Sequence, residues 1–314
     1  MHYKRRKPMK HDKAIPSMLV LVLVFTVVAA TAADAPPITF KFTKNSVPGA
    51  RQTWAEGINN AGVTVGQYQD KSGVRHGYIL NGKNVKTLDD PKGHNTWAID
   101  LPYNGAIKVV GYYTNHAGHL VGFLYQNGKF TDIPGPTGAI NLVANGINDN
   151  KEIVGYYEDS SLRWHGFLLK GTKYKTLDVP GATITYAEDI NNQGYIVLAW
   201  FDSNNVVHSS LYNGKTYKNI DVPGAELSQA NAINNEGDIV FSWLGSSGQF
   251  QGALLQCGKY YKCGKYYKCG KYYKFDYPKA VQTVGVGIND RHTISGQYQA
   301  LSNGPISGSK ATFK

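Results

Sequence analysis

One phrase recurs six times along this chain of 314 residues. It reads Gly57-Ile58-Asn59-Asn60, Ala98-Ile99-Asp100, Gly146-Ile147-Asn148-Asp149, Asp189-Ile190-Asn191-Asn192, Ala232-Ile233-Asn234-Asn235 and Gly287-Ile288-Asn289-Asp290. The isoleucines stand 41, 48, 43, 43 and 55 residues apart. A period of that size marks a repeat architecture in which each unit is one supersecondary structure that buries its faces against its neighbours.

Within a unit the strand signal is strong. In the fourth, Ile184 to Asp189, Tyr195 to Phe201, Val206 to Tyr212 and Thr216 to Val222 are short apolar runs separated by Asn/Asp/Gly turn chemistry. Asn81-Gly82, Asn127-Gly128 and Asn213-Gly214 recur between the third and fourth runs, a pair that suits a type I′ hairpin. The runs are apolar on both faces, as in Ile153-Val154-Gly155-Tyr156-Tyr157, which is how a sheet sandwiched between other sheets reads. Four-stranded antiparallel units packed radially predict an all-β chain, a β-propeller.

A proline marker counts the blades. Val47-Pro48, Asp90-Pro91, Ile133-Pro134, Val179-Pro180, Val222-Pro223 and Tyr277-Pro278 end the fourth runs, where a residue without a backbone donor leaves the ladder. The first marker precedes the first complete unit, and the last unit has only three strands, ending near Ser309 to Phe313. The expectation is a six-bladed propeller spanning residues 33–314, closed by an N-terminal strand, Ile38 to Thr43, which removes a free edge.

The pattern Gly-Ile-Asn-Asn-x-x-Gly, then Val-Gly-x-Tyr, then His76-Gly77-Tyr78 or His165-Gly166-Phe167 resembles the HAF-type extracellular repeat. His208-Ser209-Ser210 is a degraded copy; Val121-Gly122-Phe123 and Gln251-Gly252-Ala253 lack the histidine, and Ser307-Gly308 keeps only the glycine. The resemblance covers nearly the whole chain after residue 32 and implies an exported bacterial β-repeat protein. It carries no activity with it.

Residues 1–32 read as a signal peptide, with Lys4, Arg5, Arg6, Lys7, Lys10 and Lys13 ahead of an apolar run, Met18 to Val28, and Ala30-Thr31-Ala32 behind it. Secretion or a cell-envelope location follows, with no membrane span after its removal. The formal charge of +11 is local. Residues 1–32 hold a net +5 and residues 257–274 a net +6, which leaves the body without a basic footprint for nucleic acid.

Residues 257–274 are three tandem copies of Cys-Gly-Lys-Tyr-Tyr-Lys, an expansion within blade five. Lys259, Tyr260, Tyr261, Lys265, Tyr266 and Lys271 are candidates for an adhesive insert, offering charge and π faces. Cys257, Cys263 and Cys269 supply no disulfide framework; their other use is a crosslink between chains. They lack zinc-site spacing, and the acids around the asparagine turns lack a calcium loop. No metal or cofactor is implied.

Two candidate sites follow. Tyr68, Tyr113, Tyr157, Trp200, Trp243 and Tyr298 hold one equivalent position, either as a sugar-stacking ring or as packing between blades. Asp100, His94 and His116 lie in the irregular second unit, where Leu101 to Gly105 lengthens a hairpin, and they are the catalytic alternative. Asn59, Asn148, Asn191, Asn234 and Asn289 read as turn residues bonding their own backbone. The expected role is non-catalytic binding of a polysaccharide or protein on a rigid scaffold. The alternatives are a polysaccharide hydrolase or lyase and a structural envelope protein.

Overall fold

The computed structural model describes residues 38–257 and 270–314. Six four-stranded antiparallel sheets form the blades of a propeller, and no helix occurs among the described residues. The innermost strands are Gln52–Ile58, Gly93–Asp100, Asn141–Ile147, Ile184–Ile190, Leu227–Ile233 and Gln282–Ile288. Blade six takes its fourth strand, Phe40–Lys44, from the start of the described chain. That strand pairs antiparallel with Ile306–Phe313, Phe40 opposite Phe313 and Lys44 opposite Ser309.

Apolar clusters sit between blades rather than inside them. One joins Val65, Ile79 and Leu88 of blade one to Ala98, Val109 and Phe123 of blade two, which is why the strands are apolar on both faces. Phe313, nearly inaccessible, packs with Phe40 and Phe42 of the closing strand and with Phe275 of blade five.

Each innermost strand carries a register shift at the same place, for example between Ala55 and Ile58, Ala144 and Gly146, and Ala187 and Asp189. A bulge of this kind turns one side chain out of the ladder. The Val-Gly-x-Tyr glycine belongs to this device: a β-carbon on Gly66 or Gly111 would stand 2.0 or 1.8 Å from the carbonyl oxygen of Trp54 or Trp97.

Register also corrects the repeat in blade two. Ala98 pairs Gly111 as Ala55 pairs Gly66, and Asp100 pairs Val110 as Gly146 pairs Val154. Leu101, not Ile99, therefore stands at the repeated isoleucine position, and the spacings become 43, 46, 43, 43 and 55. The hairpin turns differ from expectation too. Asn127 and Gly128 both have positive φ (52° and 82°), as type I′ requires. In blades one and three only the first central residue does, Gly82 and Gly171, at 60° and 61°, the pattern of type II′.

Candidate functional site

The innermost strands surround a central cavity of about 460 Å³, and the turns at their C-terminal ends close it. The repeated asparagines bond their own turns, and four of the five also bond the next blade. Asn191 Oδ1 accepts from Gln193 N and Tyr195 N of its own turn (3.1 and 3.0 Å), while its Nδ2 donates to Asn234 O of the next blade (3.1 Å). Asn148, Asn234 and Asn289 repeat the interblade bond. The turn expectation holds, and the interblade half of the role was not visible in sequence.

The residue after each asparagine builds a second circle. Asn60 and Asp290, Asp290 and Asn235, Asn235 and Asn192, Asn192 and Asp149, Asp149 and Asn104, and Asn104 and Asn60 are joined side chain to side chain or to backbone N–H at 2.8–3.1 Å. The lengthened hairpin of blade two completes the floor. Tyr103, buried, donates its hydroxyl to the Ile233 carbonyl of blade five, directly opposite in a six-membered ring. Tyr103→Phe should lower stability by about 1 kcal/mol, because the buried carbonyl loses its donor. A urea-unfolding midpoint unchanged from wild type would show that this bar contributes nothing.

The cavity is therefore a cup with a closed floor and an opposite mouth. All six bulge residues line it: Glu56, Ile99, Asn145, Glu188, Asn231 and Val286. Its walls are unlike. Blades one to four present Trp54, Trp97, Tyr112, Tyr156, Trp164 and Tyr186. Arg75 lies 5.0 Å from the Trp54 ring and 5.7 Å from the Trp97 ring, while Tyr156 and Tyr186 approach to 4.3 Å. Blades five and six add Gln229, Asn231, Ser242, Gln282, Gln297 and Gln299 beside Phe250, Tyr298 and smaller aliphatic neighbours.

Two carboxyls stand on opposed blades. Burial pushes Glu56 up to about 7, and its Oε1 has no hydrogen-bond partner. Burial likewise pushes Glu188 up to about 8, although Asn145 Nδ2 (2.9 Å) and Gln229 Nε2 (3.2 Å) donate to it. Asp100 and Asp189 lie at the floor, where each Oδ2 accepts the backbone N–H of the following blade's hydrophobic anchor, Ile147 or Ile233, both at 2.9 Å. Burial raises both above the usual carboxylate range.

These positions overturn the catalytic alternative of Asp100, His94 and His116. His94 and Asp100 sit at opposite ends of the strand Gly93–Asp100, roughly 20 Å apart at about 3.3 Å per residue. His94 and His116 are exposed, while Asp100 is tied to backbone.

The equivalent aromatics are also no sugar-stacking ring, because their faces are taken. Tyr68 stacks on His76, Tyr157 on His165 and Trp200 on His208, at 5.1, 5.2 and 4.6 Å. Tyr298 stacks on Tyr277 at 3.6 Å, Lys274 Nζ lies 3.7 Å over Trp243, and Tyr113 is buried. Of the six only Tyr298 reaches the cup. Each histidine is pinned in turn between two acids, as His165 is by Asp178 (2.8 Å) and Asp159 (3.2 Å), so the His-Gly motif is an interlock.

Lys259, Tyr260, Tyr261, Lys265 and Tyr266 of the insert, with Cys263 and Cys269, lie outside the described residues, as does the signal segment 1–32. The last copy supplies the outer strand Lys271–Phe275, on which Lys271 is exposed. Cys257 packs in a core cluster with Ile239 and Leu255, which corrects its assignment as a crosslinking thiol: a buried sulfur is out of reach of another chain.

No family model matches the sequence, and no curated protein does. Among solved structures, a triple arginine-to-alanine mutant of AofleA from Arthrobotrys oligospora superposes with a TM-score of 0.52 at 13% identity, covering 88% of each chain. The SapL1 lectin in complex with alpha methyl fucoside gives 0.52 at 9% identity, over 84% of this chain and 94% of that one. The sialidase of Trypanosoma rangeli gives 0.50 at 10%, over 88% and 59%. At these identities the likeness is one of fold.

Proposed function

We propose that this chain is an exported carbohydrate-binding propeller of the HAF-repeat type, which takes one or two sugar units of a glycan into the central cup. The observation that carries the reading is the pair of unlike walls above a closed floor. Aromatic faces suit the apolar face of a pyranose, and amides opposite them suit its hydroxyls. A volume of about 460 Å³ falls within the roughly 300–1,000 Å³ of small-ligand pockets. Glu56, which lines the cup, offers a carboxyl acceptor on the wall a sugar hydroxyl would face. A lectin among the fold neighbours supports the ligand class, and the basic, then apolar, N-terminal segment supports export.

A glycan array with the full chain, followed by calorimetry on the best glycan, tests this. Trp164→Ala and Gln229→Ala, one on each wall, should each weaken binding about tenfold, roughly 1.4 kcal/mol, and deletion of residues 258–269 should leave it intact. Binding lost only with that deletion would move the site to the insert. No binding to any glycan would point to a protein partner or an assembly role. The opposed carboxyls Glu56 and Glu188 favour glycoside hydrolysis as a second reading, and release of reducing sugar that disappears in Glu56→Gln would establish it.

A further inference from the structure

At the closed face, remote from the cup mouth, the turn of blade five meets the turn of blade six. Glu236 and Asp238 come from the first and His292 from the second, and one donor atom of each lies within 4.8 Å of the others. His292 Nε2 is 3.2 Å from Glu236 Oε2 and 4.0 Å from Asp238 Oδ2. Metal bonds of about 2.0–2.2 Å at tetrahedral angles separate ligand atoms by roughly 3.3–3.6 Å. The two separations from the imidazole are within about half an ångström of that arrangement, and the third pair, Glu236 and Asp238, lies within 4.8 Å.

We propose that Glu236, Asp238 and His292 bind a divalent transition-metal ion, Zn²⁺ in the first instance, which staples blade five to blade six. One imidazole with two carboxylates is a borderline-to-hard donor set that suits such an ion, and three protein ligands leave a position for water.

The surroundings hold the ligands as a metal site requires. Asp238 is fully buried; its Oδ1 accepts Cys257 N (2.7 Å) and its Oδ2 accepts Asn234 Nδ2 (3.3 Å), contacts that orient a ligating carboxylate. The His292 ring lies against Phe313, with centroids 5.0 Å apart and planes at 24°. Charge sets this turn apart from its counterparts. In blade three the acid equivalent to Asp238 is Glu152, and Lys170 Nζ neutralises it at 2.5 Å. Among the described residues no lysine or arginine pairs with Glu236 or Asp238, and the imidazole is the ionisable partner they share. The backbone is consistent: His292 has φ 56° where three of the other turns use Gly62, Gly194 and Gly237 and blade three uses Lys151 at 63°, so the imidazole stands at a position that more often takes glycine. Glu236 and His292 are 56 residues apart, and no local motif announces them.

The test titrates Zn²⁺ into the chelator-stripped full chain by calorimetry. Wild type should bind one ion per chain. His292→Gly, which restores the residue preferred at that φ and therefore folds, should weaken binding more than about 100-fold, and Glu236→Gln should weaken it as well. Saturating Zn²⁺ should raise the wild-type melting temperature by roughly 5 °C and leave His292→Gly unmoved. No binding by wild type would overturn the proposal. So would binding that survives in His292→Gly but disappears in a Cys263→Ser, Cys269→Ser variant, since the ion would then sit on the insert thiols.

Discussion

Trp243→Ala is expected to destabilise the fold by about 3–5 kcal/mol while leaving glycan affinity in the cup within twofold of wild type. The side chain is 3% exposed and packs among Val197 and Leu211 of blade four and Phe241 and Ala253 of its own blade. Its Nε1 donates to Gly252 O at 3.4 Å, and Lys274 Nζ caps the ring at 3.7 Å. Truncation removes all of this at an interface between two blades with no neighbour free to fill the space. Urea unfolding and a binding titration read the two halves separately. A stable variant with lost affinity would return the equivalent aromatics to the ligand site.

The legible and illegible parts of this chain divide along its symmetry. Asn148, Asn191, Asn234 and Asn289 recur because blades three to six each pass the same hydrogen bond to the next, and an identical environment selects an identical residue. The same holds for the closing strand: three strands in the last unit required a fourth, and Phe40–Lys44 supplies it. Residues facing the axis obey no such rule. Six copies of Trp54 would meet at the centre, so that position runs Trp54, Trp97, Val143, Tyr186, Gln229, Val284, and the bulge position runs Glu56, Ile99, Asn145, Glu188, Asn231, Val286, two series with no periodic signal. The visible clue was Leu101 to Gly105. Its extra length misled the alignment of Ile99, since Ala98-Ile99-Asp100 imitates the motif two residues early, but it also carries Tyr103 across the channel. Irregularity did mark the central axis, through a tyrosine that makes the floor rather than through the histidines nearby.

Stability should fall as pH rises from about 5 to above 8, because burial raises Glu56, Glu188, Asp100 and Asp189 alike, and Glu56→Gln should remove its own share of that fall. In the unfolded chain Glu56 titrates at its ordinary 4.5, whereas burial in the folded cup pushes it up to about 7. Between those values the native state holds a proton that the unfolded state has released, so each pH increment favours unfolding. At about 1.4 kcal/mol per pH unit, ionising Glu56 costs about 3 kcal/mol by pH 8. Glu188, pushed up to about 8, acts in the same direction with a smaller weight, because it is partly open to the lumen and water screens it. The acids drawn below their ordinary value, Asp70, Asp159 and Asp202, act with the opposite sign and only at lower pH. Urea midpoints at pH 5 and pH 8.5 decide the matter. Glu56→Gln should match wild type at the lower pH and exceed it at the higher, and a wild-type stability flat across the interval would mean that the carboxyl is already ionised and hydrated in the cup. A glycan hydroxyl donating to the Glu56 carboxylate would stabilise the ionised form and draw this titration down, so bound ligand should restore part of the stability lost above pH 7, linking the unpartnered acid to the site it lines.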